Sequence, residues 1–522
     1  MPRRRWAFSD LAGPAFLLFL TLLLYLPYAI RAGWFLDDWS TYAQQQDSGN
    51  FFDGLATCMA AIPGGRKLAC VYHASEWWLL GDQRWAYHLV SIVFLVAIAW
   101  LSYVIVRRAR VGRMWATAIG AAIVVFPGAD TTRLWPVASI GQYVIVLQLT
   151  SLLVAILALE RPPGRRSGAL HLASMLLAVL AMATYEIAVP LVAVQGAVYV
   201  AIFRSSRALR RWIVDLGLVS GFVVYRLTLA PTGDPAFMVK RTTGELVSRA
   251  GTLLEGAWTS WRSLYAPGIV LVGVIVVLLV AAAAAALDTP LRHRLGRWWL
   301  LLGAATVAGA ACAGVFLTAE DLYVPQVAST YNRVNLPGTI PYALAFIAVM
   351  GLLYELIRRW SRHAWVALLA VLLVMLGVAA HQIAVGFGHQ DRWLASWSRQ
   401  QEALPGIRAG LRGVPPTARV FGFDTPQWEH DWIPISAQTW DFKGMIDYET
   451  NVDPDYASPF RADVGCGARG VVQAGWLVAP YSDRTHPVYL LSPRRAVAVH
   501  VASQGHCWRV LRAWGRPPYW GE

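Results

Sequence analysis

The chain has 522 residues, 57% of them hydrophobic and only 15% charged, with a mean hydropathy of +0.45. A soluble domain of this length cannot hide so much apolar surface, so composition excludes a wholly water-soluble protein and predicts a polytopic α-helical membrane protein. The net charge of +14 rests on 42 Arg and three Lys (Lys67, Lys240 and Lys443), and it clusters beside apolar runs, which favours a membrane rather than nucleic acid as partner.

The arginine skew suggests a GC-rich bacterial gene. The first apolar run, residues 11 to 30, follows Arg3-Arg4-Arg5 and lacks an obvious small-residue cleavage site. It is long enough to cross a hydrocarbon core of about 30 Å and is expected as a retained first helix. Further runs lie at roughly 86–106, 114–130, 136–159, 168–185, 187–203, 212–230, 267–287, 298–317, 338–357 and 364–385, predicting about 11 transmembrane helices. Arginine clusters at 3–5, 107–113, 161–166, 204–211, 292–297 and 358–362 mark every second connection. The positive-inside rule places these, with the N-terminus, in the cytoplasm and the C-terminus outside the cytoplasmic (inner) membrane.

The external connections are then residues 31–85, 128–135, 231–266, 318–337 and the tail. This divides the chain into a transmembrane module, 1–385, and an external domain, 386–522. The first external loop opens on Gly33-Trp34-Phe35-Leu36-Asp37-Asp38-Trp39. A lone aspartate at a helix end is commonly just solvated, but two adjacent ones between tryptophans are the chain's most conspicuous candidates for chemistry. A carboxylate there can take a proton from a hydroxyl delivered from outside, or the pair can help to hold a divalent cation such as Mg or Mn.

Four of the five cysteines fall outside in two local sets, Cys58 with Cys70 and Cys466 with Cys507, while Cys312 lies in a span. An oxidising exterior permits two disulfides, and four free thiols are the alternative. His73 and His88 stand in or beside the first loop as acceptor contacts, metal ligands or plain polar packing residues. Thr242-x-x-Glu245 reads as a capping box opening an amphipathic helix, lying on the membrane surface or packed against protein. In the tail, Val471–Val478, Val488–Leu491 and Ala496–Val501 predict strands of a small α+β or β-rich domain. Trp428, Trp432 and Trp440 with Asp424, Asp431 and Asp441 suit either a domain core or a sugar-binding face.

Several segments share an order. After the acidic pair come Arg66-Lys67-Leu68, Leu80-Gly81 and Tyr87-His88-Leu89; then Phe126-Pro127, Arg133-Leu134-Trp135 and Gly141-Gln142; then Ala183-Thr184-Tyr185-Glu186 with Pro190; then Tyr331-Asn332-Arg333 with Leu336-Pro337. Over roughly residues 10 to 360 this series resembles the membrane-embedded glycosyltransferases of the GT-C fold class, which include the protein O-mannosyltransferases and the aminoarabinose transferases acting on lipid A. Lys67 stands where relatives often have proline, and Tyr185 where they often have lysine.

The resemblance implies a polyprenyl-phosphate-linked sugar as donor, an external hydroxyl acceptor on a glycan, lipid or protein, and transfer with inversion. It implies Asp37 as base with Asp38 as its partner, or the two exchanged; Arg333, Arg133, Arg66 or Lys67 on the donor phosphate, with an interfacial anchor as the alternative for Arg333; and Glu186 on the donor sugar or a cation, with a plain helix-end carboxylate as the alternative. A polymerase or ligase of lipid-linked glycans would rely more on external arginines, and a transporter or flippase would carry its charges within the spans.

Overall fold

The computed structural model describes residues 11–61, 66–228, 241–264, 269–319, 321, 323–361, 363–425, 428–429, 433–435, 438–450, 452–460, 464–473 and 476–515. α1 (Ala12–Ala29) leads to three shorter helices, α2 (Asp37–Gln46), α3 (Phe51–Ala61) and α4 (Lys67–Leu80). Next come α5 (Arg84–Arg108), α6 (Arg113–Val125), the single turn α7 (Thr131–Leu134) and α8 (Ile140–Leu159). α9 (Arg165–Thr184), α10 (Val189–Phe203) and α11 (Ser206–Thr228) precede α12 (Thr243–Leu264), and α13 (Ile269–Leu287), α14 (Thr289–Gly314), α15 (Thr339–Trp360) and α16 (Ala364–Gly410) follow. The tail runs β1 (Arg419–Gly422), β2 (Trp428–Glu429), β3 (Ile433–Pro434), α17 (Thr439–Glu449), β4 (Tyr456–Pro459), β5 (Val464–Cys466), β6 (Gly470–Gln473), β7 (Trp476–Pro480), β8 (Val488–Ser492), β9 (Val497–His500) and α18 (Gln504–Ala513).

Every apolar run read from the sequence falls on a helix, and eight of the described helices are long and apolar enough to cross a membrane. The expected span at 114–130 breaks early: α6 has 13 residues, about 20 Å at 1.5 Å per residue, and stops before Pro127, which cannot donate the next backbone hydrogen bond. The chain forms two compact units, one of Met1–Ile30, Ile62–Tyr72 and Ala86–Gln390, the other of Arg31–Ala61, His73–Trp85 and Asp391–Glu522. The boundary expected at 385/386 lies inside the 47-residue helix α16.

The first unit holds most of the apolar helices. Gly120 lets α6 approach its neighbours closely, since a Cβ there would lie 2.6 Å from Leu17 and 3.3 Å from the Ala99 carbonyl. Across α8 and α9, Ser151 donates to the Ser174 carbonyl at 2.7 Å. Asp288 caps α14 by accepting the Leu291 N–H at 3.0 Å, with Pro290 in the first turn. The capping box at Thr242 and Glu245 forms. Arg249 donates to the Asp321 and Tyr323 carbonyls, whereas Val247, Leu254 and Trp258 form an exposed apolar stripe.

In the second unit, a sheet of order β4-β1-β8-β9 pairs β1 in parallel with β4 and β8, and β8 antiparallel with β9. The run Val471–Val478 belongs to two strands rather than one: β6 and β7 pair antiparallel, with β5 alongside β6. Asp431, Trp432 and the side chain of Trp428 fall outside the described residues. A disulfide joins Cys466 to Cys507, 41 positions apart; Cys58 and Cys70 are also disulfide-bonded, and Cys312 is a buried free thiol. Replacing Cys507 with Ser should lower the stability of the tail fold by roughly 2–4 kcal/mol through a less constrained unfolded chain. Chemical denaturation of the full chain followed at a tail-specific probe checks this, and an unchanged midpoint would count against it.

Candidate active site

Asp37 and Asp38 open α2, where carboxylates face the positive end of the helix. The chain reaches them through a tight reversal in which the Asp38 N–H donates to the Phe35 carbonyl at 3.0 Å. Leu36 has φ +45° and ψ −124°, the first central position of a type II′ turn, where glycine is the usual residue. Such a conformation costs a leucine about 1–3 kcal/mol and persists only when its surroundings over-determine it.

Those surroundings are visible. The Phe35 N–H donates to Asp38 Oδ2 at 2.8 Å, and Asp38 is fully buried. Trp34, Phe35, Leu36 and Trp39 are buried too, and Phe35 meets Trp393 edge-on with centroids 4.8 Å apart. The Trp39 indole donates to Gln400 at 2.8 Å. Arg84 lies over the rings of Trp34, Trp39, Trp397 and Tyr448 at 4.8, 5.1, 5.4 and 5.6 Å, and it pairs with Glu449 at 2.6 Å.

The two acids therefore differ in kind. Asp38 anchors the turn. Asp37 is partly open: its Oδ1 accepts the Trp440 indole N–H at 2.8 Å, and its Oδ2 has no hydrogen-bond partner among the described residues. Asp441, next to Trp440, is fully buried; Oδ2 accepts the Gln438 N–H in a capping box, and Oδ1 has no hydrogen-bond partner among the described residues. Burial first, and then the Asp37 charge, push the Asp441 carboxyl well above the usual range; the Gln438 N–H opposes this and Asp38 adds to it. Asp38 accepts a backbone N–H and Asp37 an indole N–H, so each carboxylate has one oxygen engaged within the protein. Among the described residues no group of three His, Cys, Asp or Glu side chains is placed to hold a metal.

In the membrane unit, a cavity of about 310 Å³ is lined by Arg66, Tyr185, Glu186, Phe222, Arg226 and Tyr323, with further apolar residues. Arg66 and Glu186, both singled out in the sequence, form a fork there: Nε to Oε2 is 3.1 Å, the second arm joins NH2 to Oε1, and the guanidinium lies 4.5 Å over the Tyr185 ring. Arg226 faces the same space without a carboxylate in ion-pair range among the described residues. Two guanidiniums against one carboxylate leave the lining positive. Arg333 is not in the lining; it lies over Trp135 and Tyr323 at 5.0 and 5.6 Å, and its buried Nε has no hydrogen-bond partner among the described residues.

The remaining expectations separate. Arg133 is buried and occupied internally: it pairs with Asp130 at 3.0 Å and donates to the carbonyls of Ile123 and Val124, capping the end of α6. Lys67 is exposed at the start of α4. His73 is buried 3.4 Å from Glu76, and His88 is buried edge-on to Tyr28 at 5.4 Å. Sequence reasoning missed the cavity role of Arg226, although an arginine at the end of a span was a usable signal. Nothing local marks Trp440 as the partner of Asp37.

No family model matches the chain, and no curated protein matches its sequence. Among solved structures, ArnT from Cupriavidus metallidurans bound to undecaprenyl phosphate is similar over 80% of this chain and 83% of that one, at 12% identity and a TM-score of 0.45.

The buried Asp441 yields a pH prediction. A carboxyl whose folded pKa is raised contributes stability that is fully present below the unfolded value of about 3.9 and is lost as pH rises toward the folded value. Asp441→Asn removes that loss. The thermal midpoint of the variant relative to the natural chain should therefore climb as pH rises from 4 to 8, and a pH-independent difference would contradict the assignment.

Proposed function

We propose that the chain is an inverting glycosyltransferase of the GT-C kind in the bacterial cytoplasmic membrane. It moves a hexosyl or pentosyl group from a polyprenyl-phosphate carrier to a hydroxyl of an external glycan, lipid or protein, with the C-terminal domain outside. The observation that carries this reading is the cavity of the membrane unit, where apolar walls meet the guanidiniums of Arg66 and Arg226. A polyprenyl phosphate needs that combination, an apolar path for its tail and planar donors for its phosphate oxygens. The ordered sequence segments support it independently.

The chemistry asks little of an acid. Asp37 takes the acceptor's hydroxyl proton on Oδ2, the acceptor oxygen bonds to the anomeric carbon from the opposite face, and the carbon–phosphate-oxygen bond breaks with its electron pair leaving on the phosphate. A phosphate leaving group is stabilised by positive charge, which Arg66 and Arg226 offer to an anion within the membrane unit. No step runs through a cation.

Two predictions follow this division of labour. Asp37→Asn should cut transfer by about 10²–10⁴-fold, the usual range for losing a general base, while binding of undecaprenyl phosphate stays unchanged. Arg226→Ala should weaken undecaprenyl phosphate binding about tenfold or more, as expected for a lost charge-assisted contact of about 1.5–3 kcal/mol. Native mass spectrometry or tryptophan-quench titration of the full chain in nanodiscs measures the second. Full turnover in Asp37→Asn, or unaltered lipid affinity in Arg226→Ala, would refute the corresponding assignment.

A further inference from the structure

The acid assigned as base is held by a residue 403 positions away. Trp440 stands in the first turn of α17, and its indole N–H donates to Asp37 Oδ1 at 2.8 Å. The helix that carries it is seated closely on α2. At Gly444 a Cβ would lie 2.5 Å from the Ser40 nitrogen and 2.6 Å from the Trp39 carbonyl carbon, so only glycine permits this approach. Phe442 is fully buried and the Gln438–Asp441 capping box fixes the first turn. Trp440 itself is 53% exposed, so burial alone does not explain a tryptophan here; its directed contact is the bond to the carboxylate.

We propose that Trp440 is a positioning residue of the transfer site, through which the C-terminal part of the chain orients the base. The proposal rests on Asp37 being that base. With Oδ1 engaged by the indole, rotation of the carboxylate is restrained and Oδ2 is the oxygen left for the acceptor proton. A carboxylate without that bond samples many orientations, and misplacement of a reacting group lowers turnover without altering how the donor binds.

The test uses right-side-out membrane vesicles bearing the full-length chain with their endogenous lipid-linked donor and acceptor, product being read by mass spectrometry. Trp440→Phe keeps a ring and removes the N–H. It should lower turnover about tenfold, leave undecaprenyl phosphate binding of the full chain in nanodiscs unchanged, and add no further loss to the residual rate of Asp37→Asn. Trp440→His returns a ring N–H and should recover several-fold over Phe. Trp476→Phe, at an indole 77% exposed on β7, should match the natural chain. A thermal midpoint within the range of the Trp476 variant establishes that Trp440→Phe folds.

Trp440→Phe at the natural rate, equal rates for Phe and His, or a Phe effect that multiplies the Asp37→Asn loss would each overturn the positioning role. An active Asp37→Asn would instead sink the base assignment, so the two failures are distinguishable.

Discussion

The hydrogen bond from the Phe35 backbone to the Asp38 carboxylate is the contact on which the Asp37 site depends. It closes a turn that places Leu36 at φ +45°, a conformation that costs leucine about 1–3 kcal/mol. A buried hydrogen bond to a charged group contributes about 1.5–3 kcal/mol, and burial of the Leu36 side chain adds about 2 kcal/mol more. The strain is thus offset locally. What it obtains is geometry: Asp38 is turned inward as an anchor, and Asp37 stays partly exposed with one oxygen that has no hydrogen-bond partner among the described residues. Adjacent residues of the same type come to have different work.

Electrostatics follow the same logic in the membrane unit. A lone guanidinium in an apolar cavity would be costly, so Arg66 is held by Glu186 and by the face of Tyr185. Arg226 lines the same space and acts on the Glu186 charge from a greater distance, so two guanidiniums share one carboxylate among the described residues. Under the proposed function, this cavity offers a lipid-linked phosphate a positive lining beside apolar walls. Arg133 illustrates the contrast: it pairs with Asp130 and donates to the open carbonyls where α6 stops.

How far these arrangements could be read from the sequence depends on the range of the interactions. Apolar runs predicted helices well because the thickness of a bilayer is a one-dimensional constraint. The acidic pair and the residues Arg66 and Glu186 stood out by type and place, but their pairing across 120 positions did not. The tail was least legible. Strands of two to five residues carry little alternation, so the parallel pairing of β1 with β4 and β8 had no local signature, and one apparent run proved to be the hairpin β6–β7. Trp440 was visible only as an unevenly spaced tryptophan. Its contact with Asp37 is fixed by how α17 packs on α2, information that no short window contains.

The measurement that bears most directly on the central claim is mass spectrometry of envelope glycans and lipid-linked sugars from a strain lacking the gene, beside the same strain restored with the natural chain. The account predicts that one sugar disappears from an envelope glycan, lipid or protein and that its polyprenyl-phosphate-linked form accumulates, with both changes reversed on restoration. Unchanged glycans together with an unchanged lipid-linked pool would contradict it.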